Sequence, residues 1–331
     1  MAIVERQLAS GDIKYWVVVN VAGHRKWIDA GTESQRASHL HDELMVKARN
    51  RELPTADDRI PLGKFVKKWM REGCGHLKPS TLAAYESKMR VHILPTLGEQ
   101  TRIRNITVER LHQMVALWRQ QALSDSLIAN NMISLSAMCR WAVDTGYMSA
   151  NPCHKVRLRR KPKSANRVIL SLEQLHAVIA HTPKEHRPLM TVLCMTGMRP
   201  QSEACALKWD DIDWRAGVVH VRRSVWKRQL TDSPKNGKSR QIPMSDSVRS
   251  AFSEQQAKRL SGDIIFPSKS GGILNMSHWA REVFIPSAKR AGIATEGLHL
   301  YLIRHGVITT MVNAGVPIPV ISEVCGTSRQ L

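Results

Sequence analysis

Residues 151–167, NPCHKVRLRRKPKSANR, hold seven Lys or Arg side chains and no carboxylate. Cations packed this densely suit the neutralisation of phosphates along a polyanion, where each contact releases counterions and the attraction is salt-dependent and blind to base sequence. The whole chain points the same way. In 331 residues it carries 49 Lys and Arg against 28 Asp and Glu, a net +21 that exceeds what solubility asks for and favours nucleic acid as partner. A membrane is the weaker fit, because no apolar run is long enough to span one and the amino terminus has no signal-peptide core. A soluble protein of the cytoplasm is expected. The six cysteines, Cys74, Cys139, Cys153, Cys194, Cys205 and Cys325, are scattered without C-x-x-C or His/Cys ligand spacing. They are expected to be reduced, buried thiols, with no metal and no cofactor.

A basic strap acts only through what it joins. Upstream, DIKYWVVVNVA (12–22) and HRKWID (24–29) are β-rich, and TESQRASHLHDELMVKARN after Gly31 has helical spacing. These make a small sheet and a helix over residues 1–50. RELPTADDRI (51–60) is polar, contains a proline and is expected to be a linker. Four helical stretches fill 61–150: LGKFVKKWMREG, KPSTLAAYESKMRVHIL with Ser80 or Thr81 as N-cap, TVERLHQMVALWRQQ, and SDSLIANNMISLSAMCRWAVDTGY. The strap itself is expected to be extended, since its charges repel. After it, 168–331 mixes helices (SLEQLHAVIAHT, RPLMTVLCMTGM and others) with strands at GVVHVRRSV and SRQIPM. Residues 1–50 carry 7 basic and 6 acidic side chains, 61–150 carry 12 and 6, and 168–331 carry 21 and 13, so the excess lies on both sides of the strap and in it.

Three motifs in 168–331 carry a resemblance. TGMRPQSEACALKWDDID (196–213) sets an arginine just after an apolar helix, SPKNGKSRQIPM (233–244) is a basic stretch that runs into the strand SRQIPM, and YLIRHGVITTMVNAGVPIPVISEVCG (301–326) holds a second arginine with glycines at 315 and 326. In this order and spacing they resemble the two arginine boxes and the hairpin of the phage-integrase, or tyrosine recombinase, family. The resemblance implies a multidomain α+β chain: a small amino-terminal sheet plus helix that binds arm-type DNA sites (1–50), a helical SAM-like core-binding domain (61–150), the basic linker (151–167), and a mainly α catalytic domain with a small sheet (168–331). It implies site-specific strand exchange through a 3′-phosphotyrosyl intermediate. Double-stranded DNA is the partner at core and arm-type sites, in the cytoplasm at the nucleoid, with a homotetramer on DNA and accessory DNA-bending proteins.

Residue by residue, the resemblance makes Arg199 and Arg304 the phosphate-binding arginines. A guanidinium suits the task, as its planar fork donates two bonds and keeps its charge. Lys235 matches the hairpin lysine that protonates the departing 5′ oxygen, with Lys238 the competitor. Glu203 is expected to orient the first box, although the family has its acid three residues after the arginine and here the interval is four. Tyr301 stands where the family usually has His. A phenol can donate a hydrogen bond but is a poor base at neutral pH. His299, two residues earlier, is expected on another helix face, and His305 to pack or hydrogen-bond locally. Thr327 stands where His or Trp is usual. Lys78, Lys155, Arg157, Arg159, Arg160, Lys161, Lys163, Lys238 and Arg240 are the expected DNA contacts. The nucleophilic tyrosine of the pattern falls beyond Leu331, and Tyr15, Tyr85, Tyr147 and Tyr301 do not occupy its place. The polypeptide as written is therefore expected to be cleavage-deficient. The alternatives are a non-catalytic DNA-binding derivative that occupies recombination sites, or Tyr301 as a displaced nucleophile.

Overall fold

The computed structural model describes residues 1–9, 11–21, 24–49, 58–159, 168–231, 239–258 and 262–327. The chain divides into two units, Met1–Lys163 and Ser164–Leu331, with the boundary inside the basic strap. Among the described residues no helix is long and apolar enough to cross a membrane.

The first unit opens with three antiparallel strands in the order β1 (Ala2–Gln7), β2 (Ile13–Val21), β3 (His24–Gly31), followed by helix α1 (Ser34–Arg49). Alternation places Tyr15, Val17 and Val19 of β2 on one face, where they pack with Ala30 and with Ala37, Leu40 and Leu44 of α1. Strand β1 escaped the sequence reading. It is an edge strand exposed at nearly every position, so AIVERQ carries no alternation to detect.

Helices α2 (Leu62–Glu72), α3 (Pro79–Lys88), α4 (Leu94–Leu97), α5 (Val108–Gln120) and α6 (Asp125–Asp144) follow, with a wider turn at Met89–Ile93 joining α3 to α4. Phe65, Trp69, Met89, Ile93, Leu111, Trp118, Ile128, Leu135 and Met138 form their common core. Thr107 and Ser124 cap α5 and α6 through their side chains. Helix α3 starts earlier than the Ser80 or Thr81 cap implied. Lys78 occupies the cap position because Pro79, which has no N–H to lose, takes the first helical position. The start of the strap also departs from expectation: Pro152 is buried and Cys153 and Val156 join this helical core, so apolar burial holds down the first part of the strap.

In the second unit, α7 (Leu172–Ala180) begins at a reciprocal cap between Ser171 and Gln174, and α8 (Arg187–Thr196) is buried on nearly all sides. The sheet region holds β4 (Ile212–Asp213), β5 (Val218–Val221) and β8 (Arg240–Pro243) in the order β4-β5-β8, with a separate hairpin of β6 (Ser224–Trp226) and β7 (Gln229–Thr231). The sequence indicated only β5 and β8. Two- and three-residue strands are too short to show a period. Helices α9 (Asp246–Ala257), α10 (Met276–Trp279), α11 (Ile285–Arg290), α12 (Tyr301–Asn313) and α13 (Ile318–Cys325) complete the unit. Helix α12 lies so close to the chain before α7 that a Cβ at Gly306 would stand 2.6 Å from the Leu170 carbonyl oxygen. All six cysteines are buried free thiols, and burial pushes Cys205 up to about 12.

Candidate phosphate-binding site

Two glycines in the left-handed region end two helices and aim two carbonyls. Gly197 (φ +61) closes α8 and Gly326 (φ +62) closes α13. Arg304, on the first turn of α12, donates from Nη1 to the Gly197 carbonyl at 2.7 Å. Arg199, just after Gly197, donates from Nη2 to the Gly326 carbonyl. Each arginine box thus supplies the carbonyl that holds the arginine of the other. Both glycines are constrained by more than φ. A Cβ at Gly326 would stand 2.9 Å from the Arg240 guanidinium, and one at Gly197 would press Val307 of α12 at 3.1 Å.

The carboxylate that organises these cations is Glu203, 1% exposed. The chain from Arg199 turns once, with the Glu203 and Ala204 amides donating to the Arg199 carbonyl, and this turn returns the carboxylate to its own arginine. Arg199 pairs with Glu203 Oε1 through its side chain and with Oε2 through its backbone amide at 2.9 Å. The four-residue interval in RPQSE is the spacing at which a helical turn brings two side chains together. Arg240 of β8 grips the same carboxylate from the other side, Nη1 to Oε1 at 3.0 Å and Nη2 to Oε2 at 2.8 Å, while its Nε donates to the Val324 carbonyl at 2.8 Å. Burial alone would favour the neutral acid, but Arg240 first and Arg199 next outweigh it and hold the carboxyl below its ordinary value. Arg304 is 2% exposed; its burial, and then the charge of Arg199, hold its pKa below the usual arginine value. Among the described residues, the ion pairs of Arg199 and Arg240 are with Glu203. Arg199 and Arg240 share one carboxylate, and Arg304 is held by the Gly197 carbonyl, which together leave a surplus of positive charge suited to an anion.

That surplus borders a cleft of about 750 Å³ lined by Arg199, Lys227, Arg228, His299 and Tyr301 among others, with no carboxylate among its described lining residues. His299 and Tyr301 line it together. The expectation that they face apart assumed helical periodicity, but α12 starts only at Tyr301. Tyr301 is 42% exposed and packs its ring edgewise against His305 at 5.1 Å. Thr327 follows Gly326, its amide donating to the Ser322 carbonyl and its own carbonyl accepting from the Ser322 hydroxyl. Among the described residues no group of three His, Cys, Asp or Glu side chains forms a metal cage.

The sequence-derived DNA contacts divide. Lys78, Lys155, Arg157 and Arg159 are exposed. Arg160, Lys161, Lys163, Lys235 and Lys238 lie outside the described residues. Arg240 is a correction: its side chain is only 7% exposed and all three of its donor nitrogens are engaged inward, so it organises the site instead of facing a ligand. The acid at 203 hinted at this, but nothing in GKSRQIPM separates an inward arginine from an outward one. The rest of the first box is structural. Asp210 and Asp211 receive Arg222 and Arg223 from the end of β5, with Arg223 held at 2.7 Å from Asp211.

Residues 169–329 match the phage integrase family, and residues 62–118 match the phage integrase N-terminal SAM-like domain. A tyrosine recombinase XerC-like protein of Caldanaerobacter subterraneus is 26% identical over 82% of this chain and 77% of its own length. A putative defective protein, IntQ, of Escherichia coli is 27% identical over 46% of this chain and 41% of its own. Among solved structures, the Tn1549 transposon integrase in complex with a circular intermediate DNA superposes with a TM-score of 0.71 at 21% identity, over 81% of this chain and 92% of the other. A lambda integrase tetramer bound to a Holliday junction superposes with a TM-score of 0.65 at 16% identity, over 98% and 95%. The chain belongs to the phage integrase family of tyrosine recombinases.

Proposed function

We propose that this protein is a site-specific DNA recombinase that grips a scissile phosphodiester with Arg199, Arg304 and the hairpin lysine Lys235. The observation that carries the reading is the surplus positive charge of Arg199, Arg240 and Arg304 around Glu203, at the edge of a cleft with no carboxylate among its described lining residues. In phosphodiester cleavage, negative charge grows on the non-bridging oxygens at the five-coordinate phosphorus. Guanidiniums held in place beforehand stabilise that charge without reorganising. Lys235 donates the proton to the departing 5′ oxygen, and a tyrosine hydroxyl takes the 3′ phosphate. The bond energy is kept in the phosphotyrosine, and no metal or nucleotide cofactor enters the scheme. Tyr301 supplies a hydrogen bond in the place of the usual histidine. DNA with core and arm-type sites is the substrate, the assembly a homotetramer helped by accessory bending proteins, and the setting the cytoplasmic nucleoid. The domain assignment goes with it: 1–50 on arm sites, 61–150 on the core site, 151–167 as strap, 168–331 for chemistry.

The second reading is a non-catalytic occupant of recombination sites, favoured by Tyr301 and Thr327 in place of the family's usual groups. A nicked suicide duplex separates the two. On cleavage the short fragment diffuses away and traps a covalent protein–DNA band on a denaturing gel. A band from this polypeptide that is lost in Tyr301→Phe makes Tyr301 the nucleophile; one that survives Tyr301→Phe assigns another tyrosine. Binding without a band supports the occupant. In a version extended by a tyrosine-bearing tail, Arg304→Ala should abolish the band and spare most binding, because the arginine serves charge that develops mainly in the transition state. A near-normal rate there would sink the placement of the second box.

A further inference from the structure

The hairpin β6–β7 has no assigned role in the reaction just proposed, yet it stands in the wall of the same cleft. Its strands pair Ser224 with Thr231, Val225 with Leu230 and Trp226 with Gln229, which leaves a two-residue turn at Lys227–Arg228. Both turn residues have positive φ, +47 for Lys227 and +63 for Arg228. That is the backbone of a tight hairpin turn normally filled by Asn-Gly, and long side chains in it carry a conformational cost. The strain sits beside a binding surface. Val225 donates its amide to the Ser202 carbonyl at 2.8 Å, so the hairpin is fixed to the loop between Arg199 and Glu203. At its base the Ser224 and Thr231 hydroxyls meet at 2.6 Å. At its tip the Lys227 ammonium lies over the Trp226 ring, 4.9 Å from the centroid, an arrangement that steadies the cation without neutralising it. Lys227, Arg228 and Arg199 line one cleft with no carboxylate among its described lining residues.

We propose that the Lys227–Arg228 turn is a second phosphate-binding element of this cleft, taking a DNA backbone phosphate next to the one that Arg199 faces. The inference rests on the recombinase reading and adds to it a pair of cations placed by a strained turn. It explains why residues ill suited to the backbone occupy it: their charge is used where Asn-Gly would only stabilise. The element would fix the register of the strand relative to the arginines, since backbone contacts position a duplex without reading its bases.

The test compares wild type with Lys227→Asn/Arg228→Gly in the full chain, using a duplex of about 30 base pairs and a titration of salt. The variant suits the turn, so its Tm should equal or exceed that of wild type. Its affinity for the duplex should fall roughly tenfold or more near 0.1 M salt, and the slope of log K against log salt should flatten by up to about 1.8, two contacts at 0.9 each. A second variant, Lys227→Gln/Arg228→Gln, keeps the strain and removes the charge; it should lose the same affinity with no gain in Tm. Wild type that binds steeply while both variants keep its slope overturns the turn's role and leaves the recombinase reading standing. Wild type that binds no duplex overturns both.

Discussion

Arg240 and Glu203 form a two-toothed ion pair in the interior of the second unit, with both guanidinium Nη atoms on the two carboxylate oxygens at 3.0 and 2.8 Å. The pair ties strand β8 to the loop that presents Arg199, and the Nε bond to Val324 extends the tie to the end of α13. Removing one partner leaves the other charge buried. Glu203 keeps Arg199 as counter-ion, so Arg240→Met should cost about 1.5–3 kcal/mol in urea unfolding, the range for hydrogen bonds lost to a charged group. Arg240→Lys should recover only part of this, because an ammonium cannot reproduce the fork. A loss below 1 kcal/mol for Arg240→Met would show that the pair contributes little.

The same carboxylate gives the fold an acid limit. Its pKa in the folded protein lies below the ordinary 4.5, so its contribution to stability is present above that value and is lost as pH falls through the lower, folded one. Glu203→Gln should lower stability at neutral pH and also flatten the acid limb, measured by Tm from pH 7 to pH 3. An acid limb equally steep in the variant would assign acid sensitivity to other carboxylates.

Gly326 should not tolerate a side chain. Alanine there would hold a left-handed φ and press its Cβ on the Arg240 guanidinium, from 2.9 Å. Gly326→Ala is expected to cost roughly 1–3 kcal/mol from backbone strain alone. By shifting the carbonyl that Arg199 grips, it should also lower cleavage in a tailed version by more than it lowers binding.

Gly306→Ala tests how α12 is seated. Its Cβ would meet the Leu170 carbonyl oxygen at 2.6 Å, and that backbone cannot swing aside as a side-chain tip can. Overpacking of this kind costs about 1–3 kcal/mol. The displaced helix carries Tyr301 and Arg304, so Tm and, in the tailed version, DNA cleavage should fall together. A Tm unchanged from wild type would mean that α12 has room to move.

The strap makes a separate prediction about duplex affinity. Neutralising Arg157, Arg159, Arg160 and Lys161 together should flatten the salt slope by up to about four contacts at 0.9 each and weaken binding to any duplex alike. An unchanged slope would remove the strap from the interface.

The sequence alone determined much of this protein. The arginine boxes singled out Arg199 and Arg304, which the structure links through the carbonyls of Gly197 and Gly326, and helical periodicity indicated α2, α5, α6 and α8. These signals are local, because a helix announces itself every three or four residues and a motif occupies one short stretch. Tertiary structure decided the rest. Arg240 stands in a basic stretch where every cation resembles a ligand contact, and only its meeting with Glu203, 37 residues away in sequence, turned it inward. The crossed bonds from Arg304 to Gly197 and from Arg199 to Gly326 span 107 and 127 residues. The interval in RPQSE is four where the family has three, and one turn of chain there returns Glu203 to Arg199; His299 lines the cleft with Tyr301 because α12 begins only at Tyr301. Whether a cation faces an anion in solution or a carboxylate in the core depends on which distant elements pack against it, and a linear sequence does not carry that information.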